Sequence, residues 1–117
     1  MRITEINTMS NSELTEYINE SIPRRDLLIA LAEEAVELSQ AALKLARAEK
    51  LVKHPTPVSE EQAIKDLKEE YTDVLLCIGV LDLEVDQVLL RKKTLRWAKR
   101  LALQESVASI EKGDCEE

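Results

Sequence analysis

Only five of the 117 residues are helix breakers, two glycines and three prolines, and two of those prolines stand together at 55 and 57. A chain so thinly punctuated is steered toward long helices, and its apolar spacing agrees. Between 24 and about 49, Leu28, Leu31, Ala35, Leu38, Ala42 and Leu45 alternate spacings of three and four, the stripe of an α-helix. Beyond the break at 53–57, Ile64, Leu67, Tyr71, Val74, Ile78 and Leu81 repeat the pattern. Pro23 suits the first turn of the earlier helix, and Ser59 with Gln62 reads as a capping box opening the later one. Ser10 or Ser12 can cap a short helix through about Asn19, with Leu14, Tyr17 and Ile18 as its stripe. Asp86 is a plausible cap for a last helix from 87 to about 110. Gly79 sits inside an apolar run at a cost of about 1 kcal/mol against Ala. A close approach of two helices would explain it.

The expected fold is all-α: an antiparallel bundle of three long helices and one short N-terminal helix over 10–110, completed by oligomerisation. Residues 1–9 form an arm and 111–117 a polar tail. Short connections make successive helices antiparallel neighbours. One chain of this length cannot cover every apolar seam, so a homodimer or homotetramer is expected. The net charge of −7 argues against a nucleic-acid polymer or an anionic membrane as partner. No stretch is apolar enough to span a membrane or to serve as a signal peptide. Cys77, in an apolar helix, and Cys115, in the tail, suggest no disulfide framework, which points to the cytoplasm.

The chemistry is concentrated in two acidic runs, Glu33-Glu34-Ala35-Val36-Glu37 and Glu70-Tyr71-Thr72-Asp73. Helical residues three apart share one face, so Glu34 with Glu37 and Glu70 with Asp73 each form a pincer. Both pairs belong to lines of apolar residues, Leu27, Ala30 and Ala41 for the first and Ala63, Cys77 and Val80 for the second. A merely solvated face would have put the acids among other polar residues. Four carboxylates gathered in a partly desolvated space repel unless a cation lies between them. All-oxygen ligands select a hard ion, Mg2+ or alternatively Mn2+.

Glu-Glu-x-x-Glu followed by Glu-x-x-Asp resembles the motif of the MazG-like all-α nucleoside triphosphate pyrophosphohydrolases. The resemblance covers about residues 24–100, with a longer gap between the two halves than is usual there. It implies hydrolysis of a nucleoside triphosphate to the monophosphate and pyrophosphate, for cleaning or control of nucleotide pools. Glu34, Glu37, Glu70 and Asp73 match the metal ligands. Glu33 matches the first acid of the motif, and Glu33 and Glu37 are the candidates for activating the attacking water.

Between 87 and 104 there is no acid, while Arg91, Lys92, Lys93, Arg96, Lys99 and Arg100 crowd into ten residues. A solvated face explains any one of these; phosphate binding better explains the cluster. The run resembles the basic last helix of the same family, with Lys93, Arg96 and Arg100 at its basic positions and Trp97 where Asn is common. These three are the candidate phosphate contacts. Trp97 shares their face and is a candidate for stacking on a base, although a lone helical Trp is more often core.

Three other readings compete. A phosphoribosyl-ATP pyrophosphohydrolase commonly has His four residues after the motif's Asp, where this chain has Cys77. A di-iron bundle needs Glu-x-x-His pairs, and none exists here. A non-catalytic helical interaction module would use the acids as protein contacts. His54, the only histidine, is expected in a loop, and no His/Cys spacing suggests zinc.

Overall fold

The computed structural model describes residues 1–49 and 59–116, with side chains through 111, so the break at 53–57 and His54 lie outside the described residues. Five helices form among the described residues: α1 (Ile3–Ile6), α2 (Asn11–Ser21), α3 (Arg24–Ala48), α4 (Glu60–Val80) and α5 (Gln87–Glu116). No strand occurs among the described residues, and three of the helices are long, as the punctuation predicts. The chain divides into two compact units, Met1–Leu83 and Glu84–Glu117.

In the first unit α3 and α4 run antiparallel. Leu27 clusters with Val80 and Leu81 at one end, and Lys44 pairs with Asp66 toward the other. Ile18 of α2 and Leu31 pack on the Leu27 cluster. Asn19 ties α2 to α4 by donating from Nδ2 to the Val80 carbonyl at 2.6 Å.

The caps follow local chemistry. Ser10 and Glu13 form a reciprocal capping box, each side chain bonded at 3.2 Å to the other's backbone N–H. Ser59 accepts from the Gln62 N–H at 3.4 Å, but the box expected there is only half made. The Gln62 side chain donates instead to Asp66 Oδ1 at 2.9 Å. At the end of α4, Asp82 takes φ 56°. Its N–H bonds the Gly79 carbonyl while the Leu83 N–H bonds that of Ile78, both at 3.1 Å. This is a Schellman stop with Asp where Gly is usual.

Several expectations are corrected. Within the arm 1–9, whose structure the sequence leaves open, α1 forms one helical turn. The last helix does not end near 110 but continues to Glu116, since its polar end includes no proline and a single glycine costs too little to stop it. Gly79 is no close approach: a Cβ built there meets nothing within 4 Å.

Burial is shared between the expected seams and the lines beside them: Leu81 of the second seam is buried, and Leu31 of the first packs on its cluster. Leu28 is 44% exposed and Tyr71 54%, although both belong to the expected seams. Leu27, Ala41, Ala63 and Val80, from the lines that carry the acids, are buried. Each helix has an apolar arc wide enough to hold both lines, and α3 and α4 meet on the acid-bearing edge of it.

In the second unit, Asp86 opens α5 by accepting from the Leu89 N–H at 3.0 Å. Val88, Trp97, Leu103 and Ile110 are all exposed. No helix among the described residues is long and apolar enough to cross a membrane.

Candidate metal centre

The inward rotation of α3 and α4 brings Glu34, Glu70 and Asp73 together, each half-buried, with one ligand oxygen from each lying within 4.8 Å of the others. Successive turns of α4 supply Glu70 and Asp73, and α3 supplies Glu34 across the helix pair. Of the four expected ligands, Glu37 is the one outside this trio; it is exposed, yet it presses on both Glu34 and Glu70. Glu33 is exposed and is the weakest of the charges acting on Glu34.

The cluster is electrostatically uncomfortable. Desolvation first, and then the Glu37 charge, hold the Glu34 carboxyl above its usual range. Glu70 is raised by the same two causes in the same order, with Asp73 and Glu34 adding to them. Oε2 of Glu34 and Oε2 of Glu70 are buried and receive no hydrogen bond. Ionised carboxylates only accept, so Glu37 bonds either neighbour only where the pair shares a proton. A divalent cation satisfies both orphaned oxygens without that proton.

The geometry fits one. The spread of 4.8 Å slightly exceeds twice a magnesium–oxygen distance of about 2.1 Å, so small side-chain rotations close the trio on an ion. All three ligand atoms are carboxylate oxygens, with no nitrogen or sulfur among them, which keeps the preference for a hard ion. Cys77 lies one turn beyond Asp73, and burial, then the charges of Glu34 and Asp73, push its thiol pKa up. It stays protonated and is a poor ligand.

A groove of about 550 Å3 continues from the carboxylates along α3 and α4, lined by Glu37, Gln40, Lys44, Arg47, Asp66 and Glu70, with buried Ala41 among them. Lys44 Nζ donates to Asp66 Oδ2 at 2.7 Å and bridges the two helices. The bond from Lys44, and then that from Gln62, draw the Asp66 pKa down. Arg47 Nε is buried and makes no hydrogen bond. Sequence reasoning missed these residues. Lys44 does stand seven positions after Glu37, on its face of the helix, with Arg47 three residues further on. Their link to Asp66 depends on the α3–α4 register, which no local pattern reveals.

On α5, Lys93, Arg96, Trp97 and Arg100 do share one face, lining a shallow concavity of about 320 Å3 with Leu101 and Gln104. Trp97 is 72% exposed. A further concavity of about 370 Å3, between α2 and the end of α4, is lined by Glu16, Asn19, Glu20 and Asp82 among others. It has no orphaned buried side-chain atom among the described residues and offers less chemistry.

The chain matches no protein-family model, no curated protein and no solved structure.

Proposed function

We propose that the protein is a metal-dependent nucleoside triphosphate pyrophosphohydrolase, releasing pyrophosphate and a nucleoside monophosphate. The observation that carries this reading is the Glu34–Glu70–Asp73 trio with its two orphaned buried oxygens. The Glu-Glu-x-x-Glu and Glu-x-x-Asp spacing supports it independently. A magnesium or manganese ion, when bound, supplies charge neutralisation and acidifies water.

The protein's own part is positioning. Glu34, Glu70 and Asp73 would hold the ion, and Glu37, exposed beside them, would accept a proton from the attacking water, with Glu33 as the alternative base. Attack is assigned to the α-phosphorus, which makes pyrophosphate the leaving group. Lys93, Arg96 and Arg100 are the proposed phosphate contacts, where an Arg fork binds two oxygens at once. Trp97, exposed on the same face, is available to stack on a base. We assign the active form to a homodimer or homotetramer, in keeping with the exposed apolar residues of both units.

The test is pyrophosphate release from a panel of canonical and modified nucleoside triphosphates, with Mg2+, with Mn2+ and with EDTA. Metal-dependent release is expected, and Glu37→Gln and Asp73→Asn should each abolish it with helical content intact. Full turnover in either variant, or none from the wild type on any triphosphate, refutes the reading.

A further inference from the structure

The side of α3 turned away from α4 carries an apolar line. Leu27, Glu34 and Lys44 mark the side that meets α4. At about 100° per residue, Ile29 stands roughly 200° round from Leu27, and Val36 and Leu43 follow it at heptad intervals. These three are 46%, 56% and 60% exposed. Ala32, Ser39 and Ala46 each follow one of them by three residues, and the first two are exposed as well. The six together alternate spacings of three and four, with Ile29, Val36 and Leu43 at the a positions of a coiled-coil seam and the small residues at d. Single apolar residues on a surface need no explanation, but a line of them in heptad register does.

The order of large and small residues says what fits this line. An antiparallel pair of such helices sets a positions against d positions. Ile29 then lies opposite Ala46, Val36 opposite Ser39 and Leu43 opposite Ala32, so every layer holds one large and one small side chain. A parallel pair would stack Ile29 on Ile29 and Ala32 on Ala32, alternating crowded layers with empty ones. The flanks agree with the antiparallel order. By two-fold symmetry Asp26 falls opposite Arg47 at both ends, and Glu33 falls opposite uncharged Gln40. On the other flank Ala35 faces Ala42 and Leu28 faces Glu49, so no like charges meet. The seam is complementary to itself, which selects a second copy of this chain as its occupant.

We infer that α3 packs antiparallel on α3 of a second copy through this seam, an inference that rests on the homo-oligomer proposed above and names its surface. Glu34 lies on the other side of the helix, facing α4, so the carboxylate trio stays clear of the contact. From Ile29 to Ala46 the contact spans about five turns, roughly 25 Å. A seam that short makes the association concentration-dependent.

The experiment is sedimentation velocity over a wide concentration range on the wild type and Val36→Glu, with circular dichroism as the check on folding. The wild type should associate as concentration rises. Val36→Glu brings a carboxylate from each copy together near the two-fold axis, and it should weaken association about 10- to 100-fold with helical content unchanged. A photo-crosslinking residue in place of Ile29 reads the direction of the pair and decides the matter if Val36→Glu does not fold. It should capture the segment around Ala46 of the other copy. Capture of the segment around position 29 instead means a parallel pair and overturns the inference. A wild-type oligomer that Val36→Glu leaves intact is built on another face, which overturns the inference while the homo-oligomer stands. A wild type that stays monomeric at every concentration removes both, and pyrophosphate release then tests the proposed chemistry separately.

Discussion

Adding an ion to the metal-free protein should stabilise it strongly at neutral pH and much less in mild acid. Glu34 and Glu70 have folded-state pKa values raised above the ordinary carboxylate value. Such groups favour folding fully below the unfolded pKa and lose that contribution as pH rises through the folded one. Asp66 and Glu13 are shifted downward, so their stability is present above the unfolded value and fades only in stronger acid. Between pH 7 and pH 5 the raised pair therefore sets the trend, and the metal-free melting temperature should rise on acidification. Ion binding needs both carboxylates ionised, so its benefit runs the other way. An ion at 100 times its Kd adds about 2.7 kcal/mol by mass action. For a unit the size of Met1–Leu83, at about 4–8 °C per kcal/mol, that is a shift of roughly 10–20 °C. Circular dichroism melts at pH 5, 6, 7 and 8, with Mn2+ or with EDTA, measure both slopes. Glu70→Gln should melt higher than wild type in EDTA and respond little to Mn2+. The reasoning fails if the Mn2+ and EDTA melts coincide at pH 7, or if Glu70→Gln keeps the full Mn2+ response.

Two further perturbations test the packing. Gly79→Ala should stabilise by about 0.5–1 kcal/mol in urea unfolding, because a helical Gly gives way to Ala where the added Cβ meets open space; destabilisation would mean a contact that this geometry lacks. Leu27→Ala, which empties the centre of the small cluster with Val80 and Leu81, should cost about 2–4 kcal/mol in the same assay.

Helix positions were legible because breakers and caps are local. Ser10, Ser59 and Asp86 all cap as their neighbours require. The carboxylate cluster was legible too, since spacing of three fixes a face whatever the tertiary structure. Periodicity could not choose between adjacent stripes. Leu28, Ala35 and Ala42 look as buriable as Leu27, Ala30 and Ala41, and only the α3–α4 pairing separates them. Arg47 was illegible for a related reason: an orphaned Nε is defined by which atoms fail to arrive, and a sequence cannot count those.

Two aspartates set where the chain is rigid and where it can turn. Asp82 closes α4 in a left-handed turn, and Asp86 opens α5 four residues later. With both replaced by Ala, neither stop signal remains between residues 60 and 116. The helices would then be able to fuse into one of about 57 residues, roughly 85 Å long. A segment carried off on such a rod would reach a neighbouring molecule, the usual route to exchange of identical elements between chains. The double substitution should therefore raise the fraction of exchanged dimer seen by size-exclusion chromatography.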